Sequence, residues 1–253
     1  EFVIRTAAIH DDNPEIAAAR RKGIPVFERA EAWGAIMQQY ENAVCIAGTH
    51  GKTTTTSMTT HIFMAAQADP TVMIGGTLPM LHSGYRVGRG DTIILESCEY
   101  YNSFLHFFPT VAVVLNVEAD HLDFFKDLDD IKQSFRRFAQ LTPQDGHIVA
   151  NADDAGAMDA LKGLPLFTFG CCEGADCQAR NLTWQHGRPD FDVVAGGKVY
   201  THLSLRVAGL HNVYNALAAA SAAYVLGIPG KAVRQGLEGF FGAGRRFELK
   251  GQY

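Results

Sequence analysis

One short stretch decides the fold of this chain, and it reads Gly48-Thr49-His50-Gly51-Lys52-Thr53-Thr54. It directly follows an apolar run, Ala43–Ala47, whose pattern is typical of a strand that is buried on both faces. It leads directly into a segment rich in threonine and methionine, which we predict to be a helix over Thr53–Ala66. A glycine loop between a strand and a helix is the context in which such a motif holds phosphate.

The residue types in this loop suit a bound nucleotide. Gly48 and Gly51 allow backbone N–H groups to turn inward around phosphate oxygens, and the start of the helix adds partial positive charge. Lys52 supplies a full charge for the β- and γ-phosphates, and the Thr53 hydroxyl can bind Mg²⁺. The predicted nucleotide-contacting residues of the loop are Gly48, Thr49, His50, Gly51, Lys52, Thr53 and Thr54.

The loop departs from the standard phosphate-loop pattern in its spacing. Two residues separate its glycines, where the standard pattern has four, and Ile46 stands at the position of the first standard glycine. The alternative interpretation is a glycine-containing strand-to-helix turn with a solvent-facing lysine. The Gly-Lys-Thr-Thr sequence in this context favours nucleotide binding.

The sequence around the loop alternates strands with helices. A second predicted helix covers Ile131–Ala139. This alternation predicts an α/β fold with a mostly parallel sheet of the phosphate-loop type, flanked by helices. The predicted strands of this sheet are Ala43–Ala47, Thr71–Ile74, Thr92–Leu95 and Val111–Asn116.

Two flanking regions differ from this central pattern. Residues 1–39 resemble the end of another α/β unit, with a helix predicted to begin at Pro14. Residues 165–207 contain short strands separated by turn signals, which predicts a small antiparallel β appendage. The predicted strands of the appendage are Leu166–Phe169, Asn181–Gln185, Phe191–Val194 and Ser204–Val207.

Acidic and imidazole side chains follow two of the predicted parallel strands. Glu96-Ser97-Cys98-Glu99 comes after Thr92–Leu95, and Asn116-Val117-Glu118-Ala119-Asp120-His121 comes at the end of the next strand. Sites in open parallel sheets form at these strand ends. A carboxylate there can bind Mg²⁺, and an Asp-His pair suits a metal or phosphate site. The alternative is a set of solvated loop acids, but two clusters beside one phosphate loop favour a site.

Composition excludes several other functions. The net charge is −5, from 22 basic and 27 acidic residues, and no block of lysine or arginine predicts a nucleic-acid surface. The longest apolar stretch, Ala216–Leu226, is shorter than the roughly 20 residues that a membrane span needs. Five cysteines, an odd number, favour reduced thiols and a cytoplasmic location. Because the chain begins at Glu1 in mid-pattern, we expect it to be part of a longer protein.

Several segments together resemble the Mur ligase family, and within it the alanine-adding type. They occur in the order of the family and at its approximate spacing. The segments are Ala8–Glu15, Ala47–Thr56, Ile74–Gly76, Ser103–Leu105, Asn116–His121, Gly209–Ala216 and Arg245–Glu248.

The resemblance implies three domains, of which this chain covers only part. Residues 1–39 correspond to the C-terminal part of a Rossmann-like domain that binds a uridine nucleotide substrate. Residues 40–243 correspond to the central ATP-binding domain, and residues 244–253 to the start of a C-terminal amino-acid-binding domain.

The resemblance also implies an activity, which is the ATP-dependent ligation of L-alanine to the carboxylate of UDP-N-acetylmuramate through an acyl phosphate. This reaction belongs to peptidoglycan precursor synthesis, and the implied cofactors are ATP and Mg²⁺. The partners would be these small molecules, with no nucleic acid and no membrane, and the protein would be a monomer or weak homodimer.

Residue roles follow from the same resemblance. Lys52 would hold the β- and γ-phosphates, Thr53 and Glu96 would bind one Mg²⁺, and His121 would bind a second. Lys52, Glu96 and His121 would be the catalytic group. The implied adenine and hinge contacts are His211, Asn212, Asn215 and Arg246.

One departure and three alternatives remain. Many relatives carry Glu-Ala-Asp-Glu-Ser-Asp where this chain has Glu96-Ser97-Cys98-Glu99-Tyr100-Tyr101, so both glutamates are kept and both aspartates are lost. The first alternative is a sibling ligase, such as a muramyl-peptide recycling enzyme or a folylpolyglutamate synthetase. The second is a phosphate-loop NTPase switch, and the third is an ATP-binding fragment that performs no ligation.

Overall fold

A ten-stranded sheet dominates the computed structural model, which describes residues 1–242. The strands are β1 (Val3–Arg5), β2 (Val26–Glu28), β3 (Asn42–Ala47), β4 (Thr71–Leu78), β5 (Ser83–Arg86), β6 (Thr92–Glu96), β7 (Val111–Val114), β8 (His147–Asn151), β9 (Leu166–Gly170), β10 (Cys177–Gln185), β11 (Arg188–Ala195) and β12 (Lys198–Ser204). The helices are α1 (Pro14–Arg21), α2 (Arg29–Met37), α3 (Lys52–Ala65), α4 (Leu128–Gln140), α5 (Ala155–Ala160), α6 (Leu210–Val225) and α7 (Gly230–Glu238). Short 3-10 turns lie at Pro79–Leu81 and Tyr100–His106.

The order of the strands places β3 in the middle of the sheet. The order is β12-β11-β10-β9-β8-β7-β3-β6-β4-β5, and all pairs from β10 to β4 are parallel. The pairs β10-β11, β11-β12 and β4-β5 are antiparallel. Strands β1 and β2 form a separate parallel pair. The predicted α/β fold with a mostly parallel sheet is therefore confirmed.

The appendage predicted for residues 165–207 is correct in its antiparallel pairing and wrong in two details. Strands β10, β11 and β12 form this appendage as an extension of the same sheet. Leu166–Phe169 lies in β9, which pairs in parallel with β8 on one side and with β10 on the other, so it belongs to the parallel part of the sheet. The strand predicted at Ser204–Val207 is also misplaced, because β12 begins at Lys198, directly after the turn at Gly196-Gly197, and ends at Ser204.

Helices cover both faces of the sheet. The central strand β3 is therefore buried on both sides, which explains why its sequence is continuously apolar. Val44 and Ile46 face a core that includes Met58 of α3 and the alanine-rich face of α6. Ala43, Cys45 and Ala47 face the opposite core, which α2, α4 and α5 complete. A strand that is buried on both faces needs apolar side chains at every position.

Helix α3 is polar in sequence and yet lies in the core. Its buried hydroxyls donate to the carbonyl oxygens one turn earlier, at 2.7–2.8 Å. These bonds satisfy the hydroxyl groups without water, which is the condition for burying them. The donors are Thr56, Ser57, Thr59 and Thr60.

The first 39 residues contain β1, α1, β2 and α2, and their two strands pair apart from the main sheet. Helix α1 begins at Pro14, and the side chain of Asn13 caps it by accepting from the N–H of Glu15 at 3.0 Å. Across residues 1–242, no helix combines the length and the apolar character that crossing a membrane requires.

Candidate functional site

The glycine loop joins the end of β3 to the start of α3, and both of its glycines are required by the geometry. Gly48 has a φ of 150° and Gly51 a φ of 85°. A Cβ on Gly48 would lie 2.8 Å from Cβ of Leu115, and one on Gly51 would lie 2.6 Å from Oδ1 of Asn215. Both positions therefore exclude a side chain, and Gly51 also has a left-handed backbone that suits glycine.

Backbone bonds hold the loop against the segment that follows β7. The N–H of Thr49 donates to the carbonyl of Asn116 at 3.1 Å, and the N–H of His50 donates to Oδ1 of Asn116 at 2.7 Å. Asn116 returns a bond from Nδ2 to the carbonyl of His50, and the N–H of Glu118 donates to Oγ1 of Thr49 at 2.9 Å. Thr49 and His50 therefore fix the loop through their local bonds, while the His50 side chain stays 66% exposed.

Lys52 lies at the first position of α3, and its amine is turned back onto the protein. Nζ donates to the carbonyls of Gly48 at 2.5 Å and Thr49 at 3.1 Å. It also contacts Oε1 and Oε2 of Glu99 at 3.1 and 2.9 Å. These contacts use all the donor capacity of the amine within the loop and on this carboxylate.

Thr53 and Glu96, which the family resemblance assigns to one Mg²⁺, lie within hydrogen-bond distance of each other. Oγ1 of Thr53 donates to Oε1 of Glu96 at 2.9 Å, across the gap between α3 and the end of β6. The N–H of Gly75 donates to Oε2 of the same carboxylate at 2.7 Å. Hydroxyl and carboxylate oxygens at a helix start are suitable ligands for Mg²⁺.

His121 lies on the other side of Lys52, in a group with two carboxylates. Ligand atoms of Glu99, Asp120 and His121 all lie within 4.8 Å of one another, and this is the single such cluster found within residues 1–242. Nε2 of His121 is 3.9 Å from Oε1 of Glu99, and its ring stacks on Tyr100 with centroids 4.3 Å apart. His121 has a φ of 52°, which is a strained backbone conformation for a residue with a side chain.

A cavity of about 930 Å³ extends from the loop toward the start of α6. His50, Gly51 and Thr54 line one side of it, and the predicted adenine contacts line another. Exposed basic side chains at its rim come from the β10-β11 turn, the start of β11 and the segment before α6. The predicted contacts on this wall are His211, Asn212 and Asn215, and the basic rim residues are His186, Arg188 and Arg206.

Hydrogen bonds connect the α6 wall of the cavity to helix α3. Oγ1 of Thr55 donates to Oδ1 of Asn215 at 3.1 Å, and Nδ2 of Asn215 donates to Oδ1 of Asn212 at 3.2 Å. Nδ2 of Asn212 donates to the carbonyl of Ala208 at 2.7 Å. Asn212 and Asn215 are therefore buried and held in place, while His211 is exposed at the start of α6. The remaining predicted contact, Arg246, lies outside the described residues.

Two groups in this site are not among the residues selected from the sequence. Glu99 was noted only as part of an acidic cluster, and it turns out to be the partner of Lys52. Asp153 lines the cavity and accepts from the N–H groups of Cys171 and Cys172 at 2.6 and 3.1 Å. The position of Asp153 two residues after β8, at a parallel strand end, was the available signal.

The site combines a buried strand, a glycine loop and a helix start, which face carboxylates on neighbouring strand ends. This combination defines the class of α/β proteins with a phosphate loop. A family model described as the Mur ligase middle domain matches residues 46–223, which is more than half of the chain. A second model, described as the Mur ligase family catalytic domain, matches residues 1–41. The chain belongs to the Mur ligase family.

Two similar curated proteins carry the same name. A UDP-N-acetylmuramate–L-alanine ligase of Caldanaerobacter subterraneus subsp. tengcongensis is 46% identical over 254 residues, covering 99% of this chain and 55% of the relative. The ligase of the same name from Clostridium novyi is 45% identical, covering 100% and 55%. The chain thus spans about half the length of the curated relatives it matches.

Solved structures agree with the fold. The UDP-N-acetylmuramate-alanine ligase of Thermotoga maritima superimposes with a TM-score of 0.85 at 30% identity, covering 100% of this chain and 57% of that one. A UDP-N-acetylmuramate:L-alanyl-γ-D-glutamyl-meso-diaminopimelate ligase from Neisseria meningitides gives 0.82 at 27%, covering 94% and 78%.

Proposed function

We propose that the whole protein, of which this chain is a part, uses ATP to join L-alanine to the carboxylate of UDP-N-acetylmuramate. This reaction makes a precursor of peptidoglycan. The observation that carries the proposal is the arrangement around α3, where Lys52 and Thr53 face Glu96 on one side and Glu99 and His121 on the other. The names of relatives at 45–46% identity support the choice of substrates.

The residues present fit the two Mg²⁺ ions of the proposal. Thr53 and Glu96 offer oxygen ligands to the first ion, and the Glu99, Asp120 and His121 cluster offers two carboxylates and an imidazole to the second. When bound, Mg²⁺ neutralises the negative charge of phosphate oxygens.

The chemistry follows from the poor reactivity of a carboxylate. Transfer of the γ-phosphoryl group from ATP to a carboxylate oxygen gives an acyl phosphate and ADP. The amine of L-alanine then attacks the acyl carbon, and phosphate leaves from the tetrahedral intermediate. In this proposal Lys52 and the loop N–H groups hold the phosphates in line for transfer, so positioning and charge neutralisation provide most of the catalysis.

The proposal places the rest of ATP in the large cavity. His211, Asn212 and Asn215 would contact the adenine there, and Arg246 would approach from the linker. The domain boundaries at 39/40 and 243/244 belong to the same proposal, as do a cytoplasmic location and a monomeric or weakly dimeric state. Light scattering of the full-length protein would measure its mass in solution.

A second cavity suits the arrival of the carboxylate. It has about 340 Å³ and lies between the first unit of the chain and the end of β6. Thr6, Arg29 and Trp33 line it from the first unit, and Glu96 and Tyr100 line it from the central sheet. A substrate held by the preceding domain could therefore extend its carboxylate toward Glu96.

The test is ADP release by the full-length protein with defined substrates. We expect release only when UDP-N-acetylmuramate and L-alanine are both present, with one UDP-N-acetylmuramoyl-L-alanine formed for each ADP. Turnover with the free tripeptide L-alanyl-γ-D-glutamyl-meso-diaminopimelate instead of L-alanine would assign the protein to the recycling type. ATP binding with no amine-dependent release would contradict ligation and favour a binding fragment.

A further inference from the structure

The pair of Lys52 and Glu99 is buried, and this makes its separation costly. The two side chains are 14% and 3% exposed, and Nζ lies 2.9 Å from Oε2. Under the proposed function, however, the same amine has to contact the phosphates of a nucleotide. Lys52 must then give up Glu99, and a buried carboxylate without a positive partner is strongly unfavourable.

The other neighbours of Glu99 cannot replace the amine by themselves. His121 is the second basic group near it within the described residues, with Nε2 3.9 Å from Oε1. Asp120 is also in the cluster and adds negative charge when Lys52 leaves. Glu99 therefore needs a new positive charge at the moment at which Lys52 moves to the phosphate.

Glu96, three residues earlier, differs in its partners. Its oxygens accept from the Thr53 hydroxyl and the Gly75 N–H, both neutral donors, so it places no restraint on the Lys52 amine. The two glutamates therefore have separate tasks, although the sequence presents them as one cluster.

We propose that Glu99 is a positioning residue that makes phosphate capture by Lys52 depend on a divalent cation. In the contacts described above, Glu99 holds the amine against the loop carbonyls of Gly48 and Thr49. A cation held by Glu99, Asp120 and His121 takes the place of the ammonium as the positive partner of Glu99, and Lys52 is released to the phosphates. This inference rests on the proposed nucleotide-binding function and adds an order of events to it.

Binding of a non-hydrolysable ATP analogue to the full-length protein tests this coupling. Calorimetry in EDTA and in saturating Mg²⁺ gives a ratio of affinities for each variant. In Glu99→Gln we expect affinity in EDTA to rise about tenfold, the effect of releasing one charge-assisted contact, and the gain from Mg²⁺ to shrink correspondingly. A merely structural role would lower both affinities and leave their ratio unchanged.

Glu118→Gln is the matched control. It removes one negative charge near the loop, but the Glu118 side chain is 60% exposed, and Nε2 of His50 lies 3.9 Å from its Oε2. Its affinity ratio should equal that of the unaltered protein. An equal ratio in Glu99→Gln as well would overturn the inference while leaving nucleotide binding intact, whereas failure of every variant to bind would instead contradict the proposed function.

A second measurement needs no substitution and so does not depend on the folding of a variant. Mg²⁺ alone should increase the rate at which an amine-reactive reagent labels Lys52, read by mass spectrometry. Lys132, which pairs with Asp159 at 2.8 Å on the surface, should label at a constant rate. Constant labelling of Lys52 at Mg²⁺ concentrations that raise nucleotide affinity would contradict the exchange of partners.

Discussion

The two ends of the candidate site differ in how they treat their polar groups. At the proposed phosphate end, Lys52 bonds to Glu99 and Thr53 bonds to Glu96. At the other end, a cavity of about 930 Å³ stays open, with exposed histidine and arginine side chains at its rim. Binding at the first end has to exchange existing contacts, whereas binding at the second end can add new ones.

This difference explains which kind of selectivity each end can supply. Exchange makes affinity depend on whether the incoming group replaces the lost charge interactions, so the phosphate end discriminates by charge. An open cavity with a few fixed amides discriminates by shape and hydrogen-bond pattern. Four substitutions or conditions test the contrast, in decreasing order of expected effect.

Lys52→Ala should have the largest effect of the four, at the end of the site where Lys52 pairs with Glu99. The free energy of unfolding should fall by about 3 kcal/mol or more, because Glu99 remains buried without its partner. Nucleotide affinity should fall by about 1.5–3 kcal/mol, the contribution of one charge-assisted contact. Chemical denaturation and calorimetry measure the two effects. Adding Glu99→Gln to Lys52→Ala should restore much of the stability but none of the affinity. Unchanged affinity in Lys52→Ala would count against the phosphate loop.

His121→Ala separates chemistry from binding at the same end. We expect acyl-phosphate formation to slow about a hundredfold, the size of effect typical for loss of one group that stabilises transition-state charge. Nucleotide affinity in EDTA should remain close to that of the unaltered protein, because under the inference above His121 acts on the nucleotide only through the cation. Rapid-quench kinetics of the full-length protein provide the measurement, with the exposed His147→Ala as control. Full activity in His121→Ala would remove it from the reaction.

Acid should weaken the far end of α3, which packs against α7. Burial lowers the pKa of His61 from 6.5 to about 4, and its ring contacts Phe240 edge-on. The neutral ring is favoured in the fold, so its contribution is complete above pH 6.5 and is lost as the pH falls toward 4. We expect a loss of about 2 kcal/mol in unfolding free energy over this window. Denaturation curves for His61→Gln should lack this component, and identical pH profiles would show that His61 titrates normally.

Asn215→Ala perturbs the open end and should have the smallest effect. It leaves the Thr55 hydroxyl without its acceptor and removes an amide from the cavity wall. Affinity for ATP should fall about fivefold, or about 1 kcal/mol. The control is Asn181→Ala, whose amide bonds to Asp192 in the antiparallel extension. An Asn215→Ala loss as large as that of Lys52→Ala would mean that the two ends are not distinct.

Local patterns in the sequence predicted the central half of the sheet and the loop. The apolar run before Gly48 and the left-handed backbone at Gly51 depend on neighbouring residues, so they can be identified without knowing the fold. The strand after residue 165 was placed in the wrong kind of pairing because the partner of a strand is set by contacts far away in the chain. The parallel register of β9 with β8 leaves no local signal.

The same limit explains why the sequence pattern led us to select Glu96, and not Glu99, as a site residue. Both glutamates lie at the end of β6, and the choice between them depends on the turn through Ser97 and Cys98. That turn directs Glu96 to Thr53 and brings Glu99 under the Lys52 amine, 47 positions away in sequence. The composition of the cluster identified the site, but the assignment of partners required three-dimensional geometry.

The hydroxyl bonds of α3 have a final consequence for the electric field at the loop. Because Thr56, Ser57, Thr59 and Thr60 bond within the helix, α3 passes through the core without accompanying water. Water along its sides would screen the aligned peptide dipoles, whereas the apolar packing around it does not. The positive end of the helix dipole, which lies at Lys52, is therefore only weakly screened.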